Sequence, residues 1–483
     1  MWRRVSPSLF LCLVTLAGCP GEQPSEKPAQ ALPFAGQTIH IGVPADRGFR
    51  TAWEAPLNEW AAQTGARYTL SELPPRPASE AFGGSEGVDR QTLAMFPLEQ
   101  VGELLGAGSL TPIPREIMED DENGVGWRDL FGGLSGKLAA RKGTALFVPV
   151  SCPVLVCYYR HDLLSAAGLN PPQTWDEYQQ LVDNLGAWAP GLAAVEPWSE
   201  SFRPTMFLAR AVSLAQHPGH YSLFFDIDSG APLIDTPGFV RALELSQATV
   251  AKMPREVLSY EPADCRDAVL RGRAALAIAL ESPAAGELAA ESALERPEGM
   301  TIGFVRLPGS RETWNPTRRA WEPLAEKGIQ RVTLCGFGGL AIAASSRNST
   351  VQTEAAWNAL ARVRGQNFVS GFPAGIVGLC RESQLHDPGE AVGPGLEGTE
   401  AEAYTNAVAT SLRDARIVAE LPVAGRVEFR DRLAQAVGRC LDGSLTPEQA
   451  LHDAGREWRD IIDRIGAAKI RDNYRASLGL SPR

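Results

Sequence analysis

Asp46 and Arg47 follow the short apolar run Thr38–Val43, Glu99 follows Thr92–Phe96, and Glu281 closes the apolar run Ala274–Leu280. Each of these charged side chains falls where a strand is expected to end. A carboxylate at the end of a buried run either faces an aqueous cleft or is costly to bury, which singles out Glu281. Gln100, beside Glu99, and Arg203 are secondary candidates. Carboxylates, amides and guanidinium groups at strand ends can bind a rim of hydroxyl groups on a small ligand. The competing reading of each charge is a solvated loop residue.

Other motifs carry less chemistry. Gly83-Gly84-Ser85-Glu86-Gly87 matches G-x-S-x-G, but a nucleophile elbow needs an apolar strand before it and a helix after it, and this one sits in a polar loop. His217-Pro218-Gly219-His220 reads as a turn rather than a metal-binding helix face. Cys152 and Cys157 are not a C-x-x-C pair, and neither a P-loop lysine motif nor H-E-x-x-H occurs. Six histidines scattered over 483 residues make a histidine-rich metal site a poor expectation. No cofactor or metal is expected. Asn348-Ser349-Thr350 fits the pattern of a glycosylation acceptor.

The length calls for two or three domains, each with its own core. Hydrophobic residues at 44% and charged residues at 21% are ordinary globular usage, which excludes a disordered, collagenous or polytopic membrane chain. The net charge of -11 offers no basic face for nucleic acid.

Trp2-Arg3-Arg4 supplies positive charge, Val5–Leu16 is a mostly apolar run too short to span a bilayer, and Leu16-Ala17-Gly18-Cys19 follows. That order is a secretory signal over residues 1–18. Cys19 directly after Leu-Ala-Gly resembles the bacterial lipobox, in which the cysteine becomes the lipidated (palmitoylated) first residue. The alternative is an ordinary signal with an incidental cysteine. Residues 19–35 are polar and Pro-rich and read as a disordered tether. Export leaves six cysteines in an oxidising space, Cys152, Cys157, Cys265, Cys335, Cys380 and Cys440, and the sequence cannot choose among their pairings.

Beyond the tether, the chain alternates strand and helix. Thr38–Val43 is a strand, Thr51–Thr64 a helix ended by Gly65, and Tyr68–Leu70 a strand, which together make a βαβ unit and imply a parallel sheet covered by helices. Further helices are expected at Trp175–Leu185 behind the cap Thr174, Phe239–Ala251, Val427–Cys440 and Thr446–Ile465. Further strands are expected at Ala274–Leu280, Thr301–Leu307 and the Gly-rich Leu334–Ala344. Glu116–Arg141 has no assignment. The architecture is α/β in more than one lobe.

Seven segments in order resemble the extracellular solute-binding proteins of ABC importers, family 1, the maltodextrin-binding-protein-like group. They are Asp46-Arg47-Gly48-Phe49; Phe147-Val148-Pro149-Val150 with Tyr158–Leu164; Ala167–Glu177 (AGLNPPQTWDE); Glu196-Pro197-Trp198; Asp228–Leu243; Gly272–Ala277; and Leu445–Leu451. The resemblance covers most of residues 37–465. It implies a two-lobe periplasmic-binding-protein fold (type II), its lobes joined by crossing hinge strands and closing over a ligand. Lobe 1 would hold 36–148 and 308–372, and lobe 2 would hold 149–307 and 373–470. The crossings would lie near Pro149, Leu307-Pro308 and Phe372-Pro373.

The resemblance also adds site residues. Glu196 and Trp198 fall in a cleft segment carrying an acid and a stacking aromatic, and Phe49 and Phe337 fall in cleft-side loops. For Trp198, Phe49 and Phe337 a place in the core is the alternative. Trp175 and Phe96 read as packing. Glu281-Ser282-Pro283 stands where many members carry a tryptophan, and Phe429 lies near another stacking position. Fewer flat rings point to a small sugar, polyol or phosphorylated polyol rather than an oligosaccharide. The function implied is capture without bond chemistry, by a monomer held to a membrane through its lipid anchor. Delivery would be to an ABC permease with its ATPase. The rival readings are a surface lipoprotein hydrolase using a carboxylate pair from Glu99, Glu196 and Glu281, and a ligand-binding sensor on the same fold.

Overall fold

The computed structural model describes residues 32–45, 48–74, 77–83, 90–122, 124–141, 143–281, 296–324, 328–364, 378–481 and 483. The expected export signal, Cys19, Asp46, Arg47, Ser282, Pro283, most of the G-x-S-x-G loop and the expected crossing at Phe372-Pro373 lie outside the described residues.

Two separate sheets organise the chain. The first has five strands in the order Arg67–Leu73, Thr38–Pro44, Leu93–Pro97, Leu340–Ala344, Val148–Ser151. Thr38–Pro44 is parallel to both its neighbours, whereas Leu340–Ala344 runs antiparallel to both of its own. The carboxyl ends at Pro44, Leu73 and Pro97 and the amino end at Leu340 therefore share one edge. Ile39, Ile41 and Val43 alternate into the core, as a covered strand requires. The helix Phe49–Thr64 lays Trp53, Leu57 and Trp60 along one buried stripe. It stops at Gly65, whose φ of 74° few other residues adopt. Trp60 Nε1 donates to Asn358 Oδ1 at 2.9 Å and ties this helix to the neighbouring helix Thr350–Arg364.

The second sheet has four strands in the order Ile302–Arg306, Val156–Arg160, Ala274–Ala279, Ala193–Val195. Every residue of Ala274–Ala279 is buried, as expected for a central strand covered on both faces. Its alanines let the helix Pro262–Leu270 approach closely, while Thr399–Arg413 packs over Ile302–Arg306. Caps set the helix starts. Thr174 Oγ1 accepts from Glu177 N at 3.2 Å ahead of Trp175–Asp183, and Thr446 and Gln449 form a capping box ahead of Pro447–Ile465.

Three features differ from expectation. The Gly-rich run Leu334–Ala344 is two strands rather than one: Thr333–Cys335 pairs with Ile417–Ala419, and Leu340–Ala344 joins the first sheet. Gly336 and Gly338 between them take φ of 88° and 64°, which breaks any strand. Secondly, Val148–Ser151 still pairs with the first sheet, so the first crossing spans Cys152–Leu155 rather than lying at Pro149. Thirdly, the chain does not cross back at Leu307-Pro308. Residues 308–335 stay with the second sheet: Trp175 N donates to Gly309 O at 3.0 Å, and Gln330 Nε2 donates to Ser213 O at 3.1 Å and Gln216 O at 2.6 Å. A hairpin here, Glu312–Asn315 with Ala320–Pro323, sets Trp314 across from Trp321. The return crossing is the glycine break at 336–339. The unassigned stretch 116–141 holds the helix Arg115–Glu119 and two short turns, and Phe131 N donates to Cys380 O at 3.0 Å.

The two lobes also meet through the C-terminal helix Ala467–Ser477. Tyr474, 2% exposed, fixes it to the second lobe by accepting from Leu223 N at 3.1 Å. Its Asn473 lies against Gly106 in the first-lobe helix Val101–Gly106. In that same first-lobe helix, a Cβ at Gly102 would overlap the Pro422 carbonyl, a backbone group that cannot swing aside. Gly102→Ala is expected to cost about 1–3 kcal/mol in urea unfolding, since overpacking must shift one backbone. Gly186→Ala, which meets open space, should stay within about 0.5 kcal/mol. Equal stability of the two variants would contradict this contact.

Candidate functional site

A cavity of 680 Å³ lies between the shared strand-end edge of the first sheet and the start of the helix Arg426–Leu441. Pro44, Leu73, Met95, Phe96, Pro97 and Leu340 supply the sheet side. Crevices beyond the carboxyl ends of strands are where open α/β sheets bind ligands. Glu99, Gln100 and Glu103 come from the turn and helix that follow Pro97, and Glu80 from the helix Ala78–Gly83. Val423, Gly425, Arg426, Val427 and Glu428 close the opposite side.

The turn before that opposite helix is tight. Leu421 has φ of 43°, in the left-handed region that favours glycine, and its side chain is fully buried. Strain of this kind persists only where the surroundings hold it. Gly425, at φ 78°, then starts the helix with no side-chain cap. The first N–H groups of a helix have no intrahelical acceptor, so this end offers donors and a partial positive charge towards the cavity.

Arg426 joins the two walls. Its guanidinium lies 3.5 Å from Glu99 of the first lobe and 3.1 Å from Glu420. The Glu420 side chain is fully buried, with Arg430 at 3.5 Å and the Thr205 hydroxyl donating to it at 3.2 Å. Buried charge is tolerated only when paired in this way. Glu99 also accepts from Gly338 N at 3.3 Å, in the glycine crossing, while Gln100 Oε1 accepts from Ala78 N at 2.5 Å. Glu428 is held by Arg464. Among the described lining residues the charges are Glu80, Glu99, Glu103 and Glu428 against Arg426, an acidic balance.

The structure brings Glu99 and Gln100 to this cavity. Ala45, just before Asp46 and Arg47, lines it too. The other expected site residues are elsewhere. Phe49 is the first residue of its helix rather than a loop residue; it is 0% exposed and packs edge-on against Trp53. Trp198 is 0% exposed, and its Nε1 donates to Glu196 Oε2 at 2.9 Å. Glu196 in turn pairs with Arg210 at 2.5 Å, and that guanidinium lies 4.4 Å from the centre of the Trp175 ring. Glu196 and Trp198 thus belong to a closed polar network inside the second lobe, with no indole face left for a ligand.

Glu281 is likewise interior. Arg266 Nε donates to both its oxygens at 2.8 Å, Tyr158 OH to Oε1 at 2.9 Å and Gly393 N to Oε2 at 2.9 Å. Of the two options for a carboxylate ending a buried run, this chain took the paired interior one. Burial, then the nearby Glu281 charge, pushes the Tyr158 phenol well above its ordinary range, so it stays a donor. Phe337 is 5% exposed and sits edge-on to Phe202. Phe429 is fully buried against Trp458.

Sequence reasoning missed Arg426, Val427, Glu420 and Glu103. One signal was available for the first two: Pro422-Val423-Ala424-Gly425 is a turn, and an arginine and a valine directly after it begin a helix. Val427 is 67% exposed, an apolar side chain left open at the cavity.

Two α/β lobes, crossing segments between them and a cleft at the strand ends define a two-lobe binding fold. The family model for bacterial extracellular solute-binding proteins matches residues 53–302, and this chain belongs to that family. Among solved structures, the sugar-binding protein MalE from Xanthomonas citri is similar, at 17% identity over 89% of this chain and 98% of its own, with a TM-score of 0.59. A solute-binding protein from Agrobacterium radiobacter in complex with ribitol is 18% identical over 89% of this chain and 100% of its own, TM-score 0.59. One from Agrobacterium vitis with bound D-mannitol is 15% identical over 89% and 99%, TM-score 0.54. Among curated proteins none matches. The family is extracytoplasmic, and no helix among the described residues is long and apolar enough to cross a membrane.

Proposed function

We propose that the chain captures a small neutral polyhydroxylated ligand, a sugar or polyol, in the cavity between its lobes and delivers it to an ABC importer. It does so as a monomer tethered to the membrane through lipidated Cys19, with Glu99, Gln100 and Arg426 on the ligand. The observation that carries this is the cavity itself, where strand ends of one lobe face an uncapped helix start of the other. Carboxylate, amide and guanidinium groups there suit hydroxyls. Among the described lining residues the one aromatic, Phe96, is 2% exposed, which offers little stacking surface and favours a small ligand over an oligosaccharide. The acidic lining disfavours a phosphorylated ligand. The ribitol and D-mannitol in two similar structures fit that size and charge.

The hydrolase reading loses its carboxylate pair, since Glu196 and Glu281 are locked to Arg210 and Arg266 in the second lobe, away from Glu99. Capture then rests on a hinge equilibrium that ligand biases towards closure.

The test is thermal unfolding of residues 20–483 against ribitol, mannitol, maltose, a sugar phosphate and an amino acid. Ligand at a hundred times its dissociation constant adds about 2.7 kcal/mol of stability. A neutral polyol or sugar should raise the midpoint and remain chemically intact. A shift with the sugar phosphate alone, or turnover of any compound, would overturn the assignment.

A further inference from the structure

The helix Ala467–Ser477 is fastened to the second lobe and reaches the first. Ile470, Asn473 and Tyr474, three and four residues apart, form one buried stripe. Tyr474 accepts from Leu223 N at 3.1 Å and from Phe224 N at 3.4 Å, and its ring stands edge-on to Phe225. Arg475 Nη1 donates to Ile227 O at 3.1 Å, and a Cβ at Gly230 would lie 2.8 Å from Ala467 O. Both ends of the helix are therefore held on segment 223–230. Asn473, 3% exposed, meets the first lobe: a Cβ at Gly106 would stand 2.0 Å from its Oδ1. Gly102 and Gly106, four residues apart, share one face of Val101–Gly106. Gly102 meets Pro422, in the turn that leads to Arg426. This first-lobe helix thus approaches the second lobe closely at two points on one face, where neither residue has a side chain to intervene.

The same helix serves the cavity. Glu99 and Gln100 lie in the turn directly before it, and Glu103 lies on it. Across the cavity, Arg426 reaches Glu99 at 3.5 Å. The turn is tied to the return crossing, with Glu99 accepting from Gly338 N at 3.3 Å and Leu98 N donating to Gly339 O at 2.9 Å. The crossing therefore sets one end of Val101–Gly106, and Asn473 meets the other end. We propose that the C-terminal helix is an interlobe strap and that Asn473 is a positioning residue, which seats Val101–Gly106 and so holds Glu99, Gln100 and Glu103 opposite Arg426. The seated strap restrains the lobes at a point outside the crossing segments. Unseated, it leaves a wider range of lobe angles. A cavity already in register needs less ordering when ligand binds. Only that last step rests on the cavity being the ligand site.

The test measures the distance between spin labels on the two lobes of residues 20–483, a chain whose described fold begins at residue 32. The labels sit on Glu54→Cys in the first lobe and Lys252→Cys in the second, both exposed positions, while the six free cysteines of the described chain are buried. Gly106→Leu blocks the seat from the first lobe, at a glycine exposed beside this contact. Asn473→Ala empties the seat without adding bulk. Ala107→Leu, at the next exposed position, is the control. Without ligand, both seat variants should give longer and broader interlobe distances than the native chain at an unchanged far-ultraviolet spectrum, and Ala107→Leu should match the native chain. Native distances in Asn473→Ala, or an equal change in Ala107→Leu, would overturn the proposal. Whichever of ribitol, mannitol and maltose the native chain binds should bind both seat variants about tenfold more weakly, as expected when the competent fraction falls to about a tenth. Binding of none of them by the native chain would count against the ligand assignment, and the unliganded distances would still decide the strap.

Discussion

Glu281→Ala destabilises the folded chain by about 3–5 kcal/mol in urea unfolding, because it leaves a buried guanidinium without its counter-charge. The Arg266 and Glu281 side chains are 1% and 0% exposed. Removing the carboxylate strips Arg266 of its close ion pair and leaves it Pro394 O at 2.6 Å and Asp267 at 3.6 Å. It also takes the acceptor from Tyr158 OH and Gly393 N. The double variant Arg266→Met with Glu281→Leu should recover much of the loss, since replacing both partners by apolar groups removes the stranded charge. The folded fraction of Glu281→Ala should bind ligand as the native chain does, because the side chain is away from the cavity. A loss of affinity at full stability would return Glu281 to the cleft.

Arg426→Ala acts in the opposite sense, mainly on binding. Affinity for the cavity ligand should fall about tenfold to hundredfold, the worth of a charge-assisted hydrogen bond of about 1.5–3 kcal/mol. The side chain is 11% exposed at the cavity and also pairs with buried Glu420. That carboxylate keeps Arg430 and Thr205, so the stability loss should be smaller than at Glu281. Arg426→Lys should fall between the native chain and the alanine variant, because an ammonium keeps the charge without the planar fork. Calorimetric titration of the three proteins measures this. Unchanged affinity in Arg426→Ala would remove the arginine from the site.

Periodicity made most of the framework legible. Trp53, Leu57 and Trp60 gave their helix, and Thr174 and Thr446 gave two helix starts that the structure keeps. The two-lobe fold followed from ordered segments, each weak alone. Long-range pairing was not legible. The run 334–344 reads as one strand because its apolar residues continue through the glycines, and only tertiary structure assigns its halves to different sheets. The segment 308–335 carries no local mark of which lobe it packs on.

The lining of the candidate cavity was legible where backbone topology decides it. Glu99 and Gln100 follow a strand end, and strand ends in this fold open on the cleft. Where side-chain pairing decides, it was hidden. Glu196, Trp198 and Glu281 look like cleft chemistry until Arg210 and Arg266 are seen beside them, 14 and 15 residues away in sequence. An arginine on a neighbouring helix leaves no spacing signature against a strand-end carboxylate.

The most direct measurement on the central claim is parallel calorimetric titration of the native chain and Val427→Trp with ribitol, mannitol and maltose. Val427 is 67% exposed and lines the cavity, so a larger side chain fills ligand space without disturbing a core. Its stability should change by no more than about 0.5 kcal/mol. The account predicts saturable one-to-one binding of at least one of these compounds by the native chain, and at least about hundredfold weaker binding by the variant at an unchanged melting midpoint. Equal affinity in the two proteins would place the ligand outside this cavity and contradict the account.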